Sequence, residues 1–439
     1  MRAILSSMGA LELSTGRWVL VLLLAVLLTA AVVTLDLWIA HRTERFRSGD
    51  FFQFWAAGRA ILQGDDPYDP LSWRDIYQQQ GHWRWQTDQR VFLYPLWTAF
   101  PFVPFALLPV STATLLWTLT SQALLLLTVA MWVKALDWIE PAAWLLLIMV
   151  STVAFEPVSL TILFGHLGIV LLCLITGTLY LANRGRYAQA GVLVALTLIK
   201  PQLFLLVYPV LIVTMILYRR WGFLISFSAT VAALFLSSWL LVPNWIEAWL
   251  EHLARSATVR LSISPTIWGA THSVAMALHR QDLWLTMAIA ALAVLLGVLA
   301  YALHAHRQTP ARAGTLEPSL SLSLIASLLI APYVLSYDFV LLLLPISTCL
   351  WIAQRLAKQM RRVIVISVVG CAIILPWALL AVSTRTGQET TNVVVPLSLF
   401  VILLAAAHGR GHRDELSPLP EPARPQHLDG TSGGTVCPL

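Results

Sequence analysis

The sequence predicts an all-α polytopic membrane protein, with about twelve transmembrane helices and further helices lying on the external surface. Three observations carry this. Of 439 residues, 58% are hydrophobic and only 11% are charged, against about 25% charged in soluble proteins. Apolar runs of about 17–25 residues recur along most of the chain, each long enough to cross about 30 Å of hydrocarbon as a helix. No stretch shows the alternation of a membrane barrel strand, and lipid admits only helices or closed barrels, because the backbone must bond to itself.

The apolar runs lie near 18–40, 91–109, 111–133, 142–164, 166–183, 187–200, 202–218, 221–242, 283–304, 318–334, 336–353, 361–382 and 391–408. The first follows Arg17 and lacks a convincing cleavage site, so it reads as an anchor that stays in place. The stretch "YPLWTAFPFVPFALLP" (94–109) has four prolines. Proline removes helix hydrogen bonds, so a broken or re-entrant segment is expected there, with 91–133 crossing once.

Short cytoplasmic loops collect Lys and Arg. The basic loops here are Asn183–Arg186, Tyr218–Arg220, His304–Arg312 (with Arg307 and Arg312) and the cluster Arg355, Lys358, Arg361 and Arg362. Arg410 and Arg413 follow the last run. They alternate with Lys200-Pro201, with 243–282 and with Leu335–Asp338. Alternation therefore places these three, and 41–90, on the external side, with both termini cytoplasmic. The expected organisation is a membrane domain over 1–408, with external loops at about 41–90 and 243–282. A Pro- and Gly-rich tail over 409–439 is expected to be disordered.

Several functions are excluded. Cys173, Cys349, Cys371 and Cys437 are scattered and give neither a disulfide framework nor a metal spacing. The net charge of +6 sits in loops between spans and needs no nucleic-acid partner. There is no Walker A loop, no GxGxxG, no GxSxG and no HExxH.

The residues that can carry chemistry fall on the expected external side. "SGDFFQFWAAGRAILQGDDPYDP" (48–70) reads as an amphipathic interfacial helix with Phe51, Phe54, Trp55, Gly58, Ile61 and Leu62 on its apolar face. Asp50 stands at its N-cap, Gly64 ends it, and Asp66–Pro70 is a turn before a second short helix at about 71–80. Asp50 reads equally as a plain cap or as a base. "FGHLG" (164–168) places His166 at a turn between spans, where it either serves a backbone carbonyl or touches substrate. Lys200 lies within an apolar hairpin, and an ionisable residue at that depth marks a functional site with a partner to be found, unless it snorkels outward. Asp338 opens a long apolar run, as a cap or as a ligand. In "SPTIWGATHSV" (264–274), Trp268 and His272 are an interface anchor and a surface histidine, or substrate contacts.

Taken together, these motifs resemble the polyprenyl-phosphate-dependent glycosyltransferases of the GT-C fold, and among them glycosyltransferase family 87, which includes mycobacterial phosphatidylinositol mannosyltransferases. The residues that carry the resemblance are Asp50-Phe51, Gly64 through Asp69, Tyr94-Pro95, Gly165–Gly168, Arg184-Gly185-Arg186 with Ala190-Gly191, Lys200-Pro201-Gln202, and Ala331-Pro332-Tyr333 with Tyr337-Asp338. They span roughly 45–350. His166 stands where the family usually has Gln, and Asp338 lies near a position where some members carry His.

The resemblance implies that a hexose, usually mannose, leaves a polyprenyl phosphate at the outer membrane face. An acceptor hydroxyl on a lipid or glycan attacks with inversion. It implies Asp50 as general base and Lys200 with Arg59 as cations for the leaving phosphate. Asp66, Tyr68 and Asp338 would hold sugar hydroxyls, with Trp55 and Tyr94 as stacking surfaces, and His166, Gln202, His272 and Tyr337 would line the substrate. No cofactor is obligatory. No spacing requires a metal, and an optional Mg²⁺ on Asp50 and Asp66 stays open. The expected partners are membrane lipids, the lipid-linked donor and the acceptor. A transporter or flippase of lipid-linked or small polar solutes is the alternative, although no two related halves are visible. A catalytically silent assembly partner is a third reading.

Overall fold

A computed structural model of the chain describes residues 50–79, 92–136, 141–308 and 316–416. The expected first span (18–40), the loop around Arg312 and the tail from 417 lie outside the described residues. Among the described residues the fold is helical throughout, with no strand.

Helix α1 (Asp50–Gln63) and α2 (Pro70–Gln79) precede a series of short helical turns over Leu96–Ala106. Then follow α3 (Val110–Ala135), α4 (Pro141–Ala154), α5 (Glu156–Phe164), α6 (Gly168–Asn183), α7 (Tyr187–Leu196), α8 (Val207–Leu217) and α9 (Trp221–Leu241). The second half comprises α10 (Trp245–Ile263), α11 (Ile267–Ala277), α12 (Trp284–Gln308), α13 (Glu317–Ile330), α14 (Leu343–Ala353), α15 (Lys358–Val369), α16 (Leu375–Thr386) and α17 (Val394–Leu416). Pro157 and Pro318 sit in the first turn of α5 and α13, where the missing N–H costs nothing, and Pro376 follows a π-helical turn over Gly370–Ile374 that joins α15 to α16 in one 29-residue helix. The last helix runs on to Leu416, beyond the boundary expected at 408.

The expectation of about twelve spans is corrected. Among the described residues six helices are long and apolar enough to cross a membrane, or seven if α4 and α5, bent by 53° at Phe155, form one span. Five apolar segments are only 10–17 residues long: Leu96–Ala106, Gly168–Asn183, Tyr187–Ile199, Val207–Leu217 and Glu317–Ile330. At 1.5 Å per residue they reach roughly 16–24 Å, short of about 30 Å of hydrocarbon. The apolar runs in the sequence are real, but breaks at Lys200-Pro201, at Pro332 and at Phe155 cut the helices inside them. A run of apolar residues measures burial, whether in lipid or in protein, and does not measure helix length.

Burial does not follow length: Glu317–Ile330 is buried along most of its residues, whereas Val207–Leu217 turns Val213, Ile216 and Leu217 outward. The span Ser336–Ala353 is 94% buried, whereas Trp221–Leu241 is 6% buried and turns Ile225, Trp239 and Leu240 outward. Inside, small residues let helices approach closely. Gly191 of α7 leaves room for the Phe223 carbonyl of α9, and Ser321 of α13 hydrogen-bonds Thr348 of α14 at 2.8 Å.

Helix α1 is more deeply set than an interfacial helix would be. Phe51, Phe52, Phe54, Trp55 and Ala57 are all buried. Phe51 stacks on Trp117 of α3 at 5.8 Å, and Phe54 on Phe102 at 5.0 Å. The aromatics expected at headgroup level form instead a joint between α1, the 96–106 turns and α3. Gly165 completes that joint. Its φ is +65°, and a Cβ there would lie 2.6 Å from the Phe51 Cβ. Gly64, which ends α1 at φ +77°, has open space around it.

These two glycines separate strain from crowding. Gly64→Ala is expected to cost about 1–2 kcal/mol, the left-handed penalty alone. Gly165→Ala is expected to lower the melting temperature of the detergent-purified protein at least twice as far, because the methyl group also displaces α1.

Candidate active site

The site is built on a break. After α7 the chain makes one 3₁₀ turn (Thr197–Ile199), passes Lys200 at φ −138°, and makes another (Pro201–Phe204). Pro201 has no N–H, so the helix ladder cannot continue. The carbonyls freed at the break find partners from the 96–98 turn. Trp97 Nε1 donates to Leu198 O at 3.1 Å and Thr98 Oγ1 to Ile199 O at 3.2 Å. This is the condition on which non-helical backbone survives at membrane depth.

Lys200 does not snorkel outward. It is 1% exposed, and its Nζ donates to both oxygens of Asp338 at 2.7 and 2.8 Å. Asp338, wholly buried, sits on a second break. The loop after α13 leads into a 3₁₀ turn over Ser336–Leu342, and Asp338 Oδ2 also accepts the Leu335 N–H at 3.1 Å. Asp338 therefore caps this turn through the Leu335 N–H and neutralises Lys200 with the same carboxylate.

His166 is the third member. Its Nε2 lies 3.4 Å from Lys200 Nζ and 3.2 Å from Tyr94 Oη. With donors on both sides Nε2 is the acceptor, which puts the ring proton on Nδ1, facing Asp338 Oδ1 at 3.7 Å. Burial first, and the Lys200 charge second, hold His166 well below its ordinary value, so the ring is neutral. A neutral His offers one donor and one acceptor, as the Gln usual in the family does. The turn is fixed by Gly165, whose carbonyl accepts the Trp117 Nε1–H at 2.9 Å. The Tyr337 ring covers His166 at 4.2 Å, with Lys200 Nζ 5.4 Å from the same ring.

Asp50, the first residue of α1, is partly exposed. Its carboxylate is near enough to act electrostatically on Tyr94, Tyr333 and Tyr337. Burial, with Asp50 next, holds the Tyr94 phenol well above its usual value. Tyr333 is pushed up to about 12, by burial first, against Arg260 and with Asp338, Asp50 and Glu389 adding to it. Arg260, Asp338, Asp50 and Glu389 thus all act electrostatically on one tyrosine. The Arg260 guanidinium of α10 lies 4.4 Å over the Tyr333 ring.

The other expected residues have other neighbours. Asp66 Oδ1 accepts the Tyr68 N–H at 2.9 Å, and burial raises its pKa against that bond. Tyr68 Oη donates to the Tyr94 carbonyl at 2.6 Å. Asp66 and Tyr68 therefore brace Tyr94. Arg59 Nη1 donates to Ala106 O at 3.1 Å, tying α1 to the 103–106 turn. Trp55 is buried and donates to Leu108 O. His272 packs edge-on against Trp284 at 4.9 Å, and Gln202 is half-buried beside Lys200. Among the described residues no group of three or more His, Cys, Asp or Glu could hold a metal ion.

Arg260 and Glu389 were not singled out by the sequence. Arg260 is one of several charges in a mixed loop, and Glu389 stands in a loop without a motif. Tyr333 belonged to a recognised motif, but which charges act on it depends on the fold.

The profile of glycosyltransferase family 87 matches residues 92–335, more than half of the chain. The chain belongs to glycosyltransferase family 87. It is a glycosyltransferase and a multi-pass membrane protein. The family match takes in Tyr94, His166, Lys200, Arg260 and Tyr333, while Asp50 precedes it and Tyr337-Asp338 follow it. No curated protein matches the chain. Among solved structures, this family 87 member is similar to ArnT from Cupriavidus metallidurans bound to undecaprenyl phosphate. The identity is 13% and the TM-score 0.41, over 92% of this chain and 78% of that chain.

Removing one partner of a buried ion pair strands the other charge. Lys200→Met is expected to destabilise the family 87 enzyme by about 3–5 kcal/mol, and Lys200→Met with Asp338→Leu to recover part of that loss. Melting of the detergent-purified variants checks it.

Proposed function

We propose that this glycosyltransferase moves a hexose, mannose in the first instance, from a polyprenyl-phosphate donor to a lipid or glycan hydroxyl at the outer face of the cell membrane. The observation that carries this reading is Asp50, at the head of α1, in electrostatic reach of the same tyrosine that Arg260 covers.

The Asp50 carboxylate, which acts electrostatically on Tyr333, and the Arg260 guanidinium over the Tyr333 ring are the base and the cation that displacement at an anomeric carbon needs. The Asp50 carboxylate takes the proton of the acceptor hydroxyl. The acceptor oxygen forms its bond to the anomeric carbon from the face opposite the phosphate. The bond from that carbon to the phosphate oxygen breaks, and its electron pair leaves with the polyprenyl phosphate. Attack opposite the leaving group inverts the anomeric centre.

The departing phosphate gains negative charge and needs a cation. Lys200, expected for this role, already has its charge matched by Asp338. Arg260 carries the larger share in this reading, since a guanidinium binds phosphate through two parallel N–H bonds. The Lys200–Asp338–His166 triad then forms the neutral floor that holds Tyr94 and Tyr337. The alternation of basic loops supports an external site with cytoplasmic termini, and the broken helices support lateral entry of the lipid chain. The GT-C-like architecture belongs to the same proposal.

Asp50 is the first helical residue of α1 and not the cap before it, so its carboxylate favours the helix N-terminus by charge, and Asn keeps its shape without being able to act as a base. Asp50→Asn is expected to cost about 0.3–1 kcal/mol, a small drop in melting temperature. Its turnover, measured as transfer of labelled hexose from a synthetic polyprenyl phosphate, is expected to drop on the order of 10²–10⁴-fold. Unchanged transfer would remove Asp50 from the mechanism. Arg260→Ala is expected to raise the KM for the donor about tenfold or more, with Arg260→Lys restoring only part of it.

A further inference from the structure

The loop between the last two spans carries a second polar group that the reaction above does not use. Glu389 Oε2 accepts both the Ser336 N–H and the Ser336 hydroxyl, each at 2.8 Å. Asn392 Nδ2 in turn donates to Ser336 Oγ. This chain of bonds locks Glu389 and Asn392 to the residue two before Asp338. The loop is pinned from its other side, where Ser273 of α11 donates to Thr390 at 3.1 Å.

One acceptor of this group lacks a donor. Asn392 is 5% exposed, and its Oδ1 has no hydrogen-bond partner among the described residues. A buried acceptor without a donor is rare in native proteins and calls for an explanation. A metal ion would be expected to draw more carboxylates together, and no such group of three is present among the described residues. A ligand that presents several O–H donors on one rigid ring answers the deficit directly. In a glycosyltransferase that ligand is the sugar.

We propose that Glu389 and Asn392, held by Ser336, bind hydroxyl groups of the transferred hexose and select among its epimers. This rests on the donor assigned above. The placement fits it. Ser336 adjoins Tyr337, and Tyr333 lies in reach of both Asp50 and Glu389. The sugar would lie with its anomeric carbon toward the base and cation and its hydroxyls toward the last external loop.

The test uses the full chain in lipid nanodiscs. Affinity is measured for farnesyl phosphate and for its mannosyl and glucosyl derivatives, alongside transfer from each derivative. Wild type is expected to bind one sugar-bearing lipid more tightly than the bare lipid phosphate. Glu389→Gln and Asn392→Ala are expected to lose about tenfold of that gain each and to narrow the difference between epimers. Affinity for bare farnesyl phosphate is expected to stay unchanged. If Asn392→Ala does not fold, as judged by its melting, Glu389→Gln decides.

The proposal is overturned if wild type gains nothing from any hexose, or if the gain survives in the variants. It is also overturned if the gain requires Mg²⁺ or Ca²⁺ and the variants lose binding of that ion alone. A sugar-dependent gain without transfer would sink the donor reading and leave this subsite standing.

Discussion

A lysine and an aspartate, 138 residues apart in the chain and both out of reach of water, hold this protein's centre together. Neither charge is tolerable alone at that depth. Each sits where a helix has stopped: Lys200 between two 3₁₀ turns, Asp338 at the start of a third. The pair therefore joins the two interruptions of the helical framework, and His166 and Tyr94 are ordered by the hydrogen bonds that radiate from it. Wherever the two breaks move, the pair must move with them, so the site's shape is fixed by the need to keep opposite charges in contact.

The broken helices follow from this. A continuous helix satisfies its own backbone and presents only side chains. An interrupted one presents carbonyls and charged groups, but only if the surrounding protein supplies donors for what it releases. The 96–98 turn does that for Leu198 and Ile199, and the price of the interruption is thereby met inside the fold. The most buried helices are α13 and α14, on either side of the second break, while the uninterrupted α9 faces outward, and the polar groups of the site stand at helix ends rather than in helix middles.

The sequence made the isolated polar positions easy to see. His166, Lys200 and Asp338 stand out because burial of such groups in an apolar run is costly and needs a reason. Their mutual contact could not be read, because partners 34 and 138 residues away meet only in the folded chain. Asp50 was visible as a carboxylate at the head of a strongly apolar helix, although the depth of that helix was not, since buried and interfacial aromatics look alike in sequence. Arg260, Glu389 and Asn392 were hidden for the opposite reason. Arg260 is one of several charges on the amphipathic α10, and Glu389 and Asn392 stand at the edge of the last apolar run, where a polar residue carries no signal. The count of spans was overestimated because hydrophobicity reports what a segment avoids, and both lipid and a protein core satisfy it.

The contact between Lys200 and Asp338 also bears on how the enzyme responds to an energised membrane. A single charge carried across the bilayer would do work of about 2.3 kcal/mol for every 100 mV. A neutral dipole whose ends are 2.7 Å apart samples only a small slice of that field, about 0.2 kcal/mol per 100 mV at most. This buried ion pair is thus nearly blind to voltage, and a change in the potential across the membrane leaves the join between the two breaks in place.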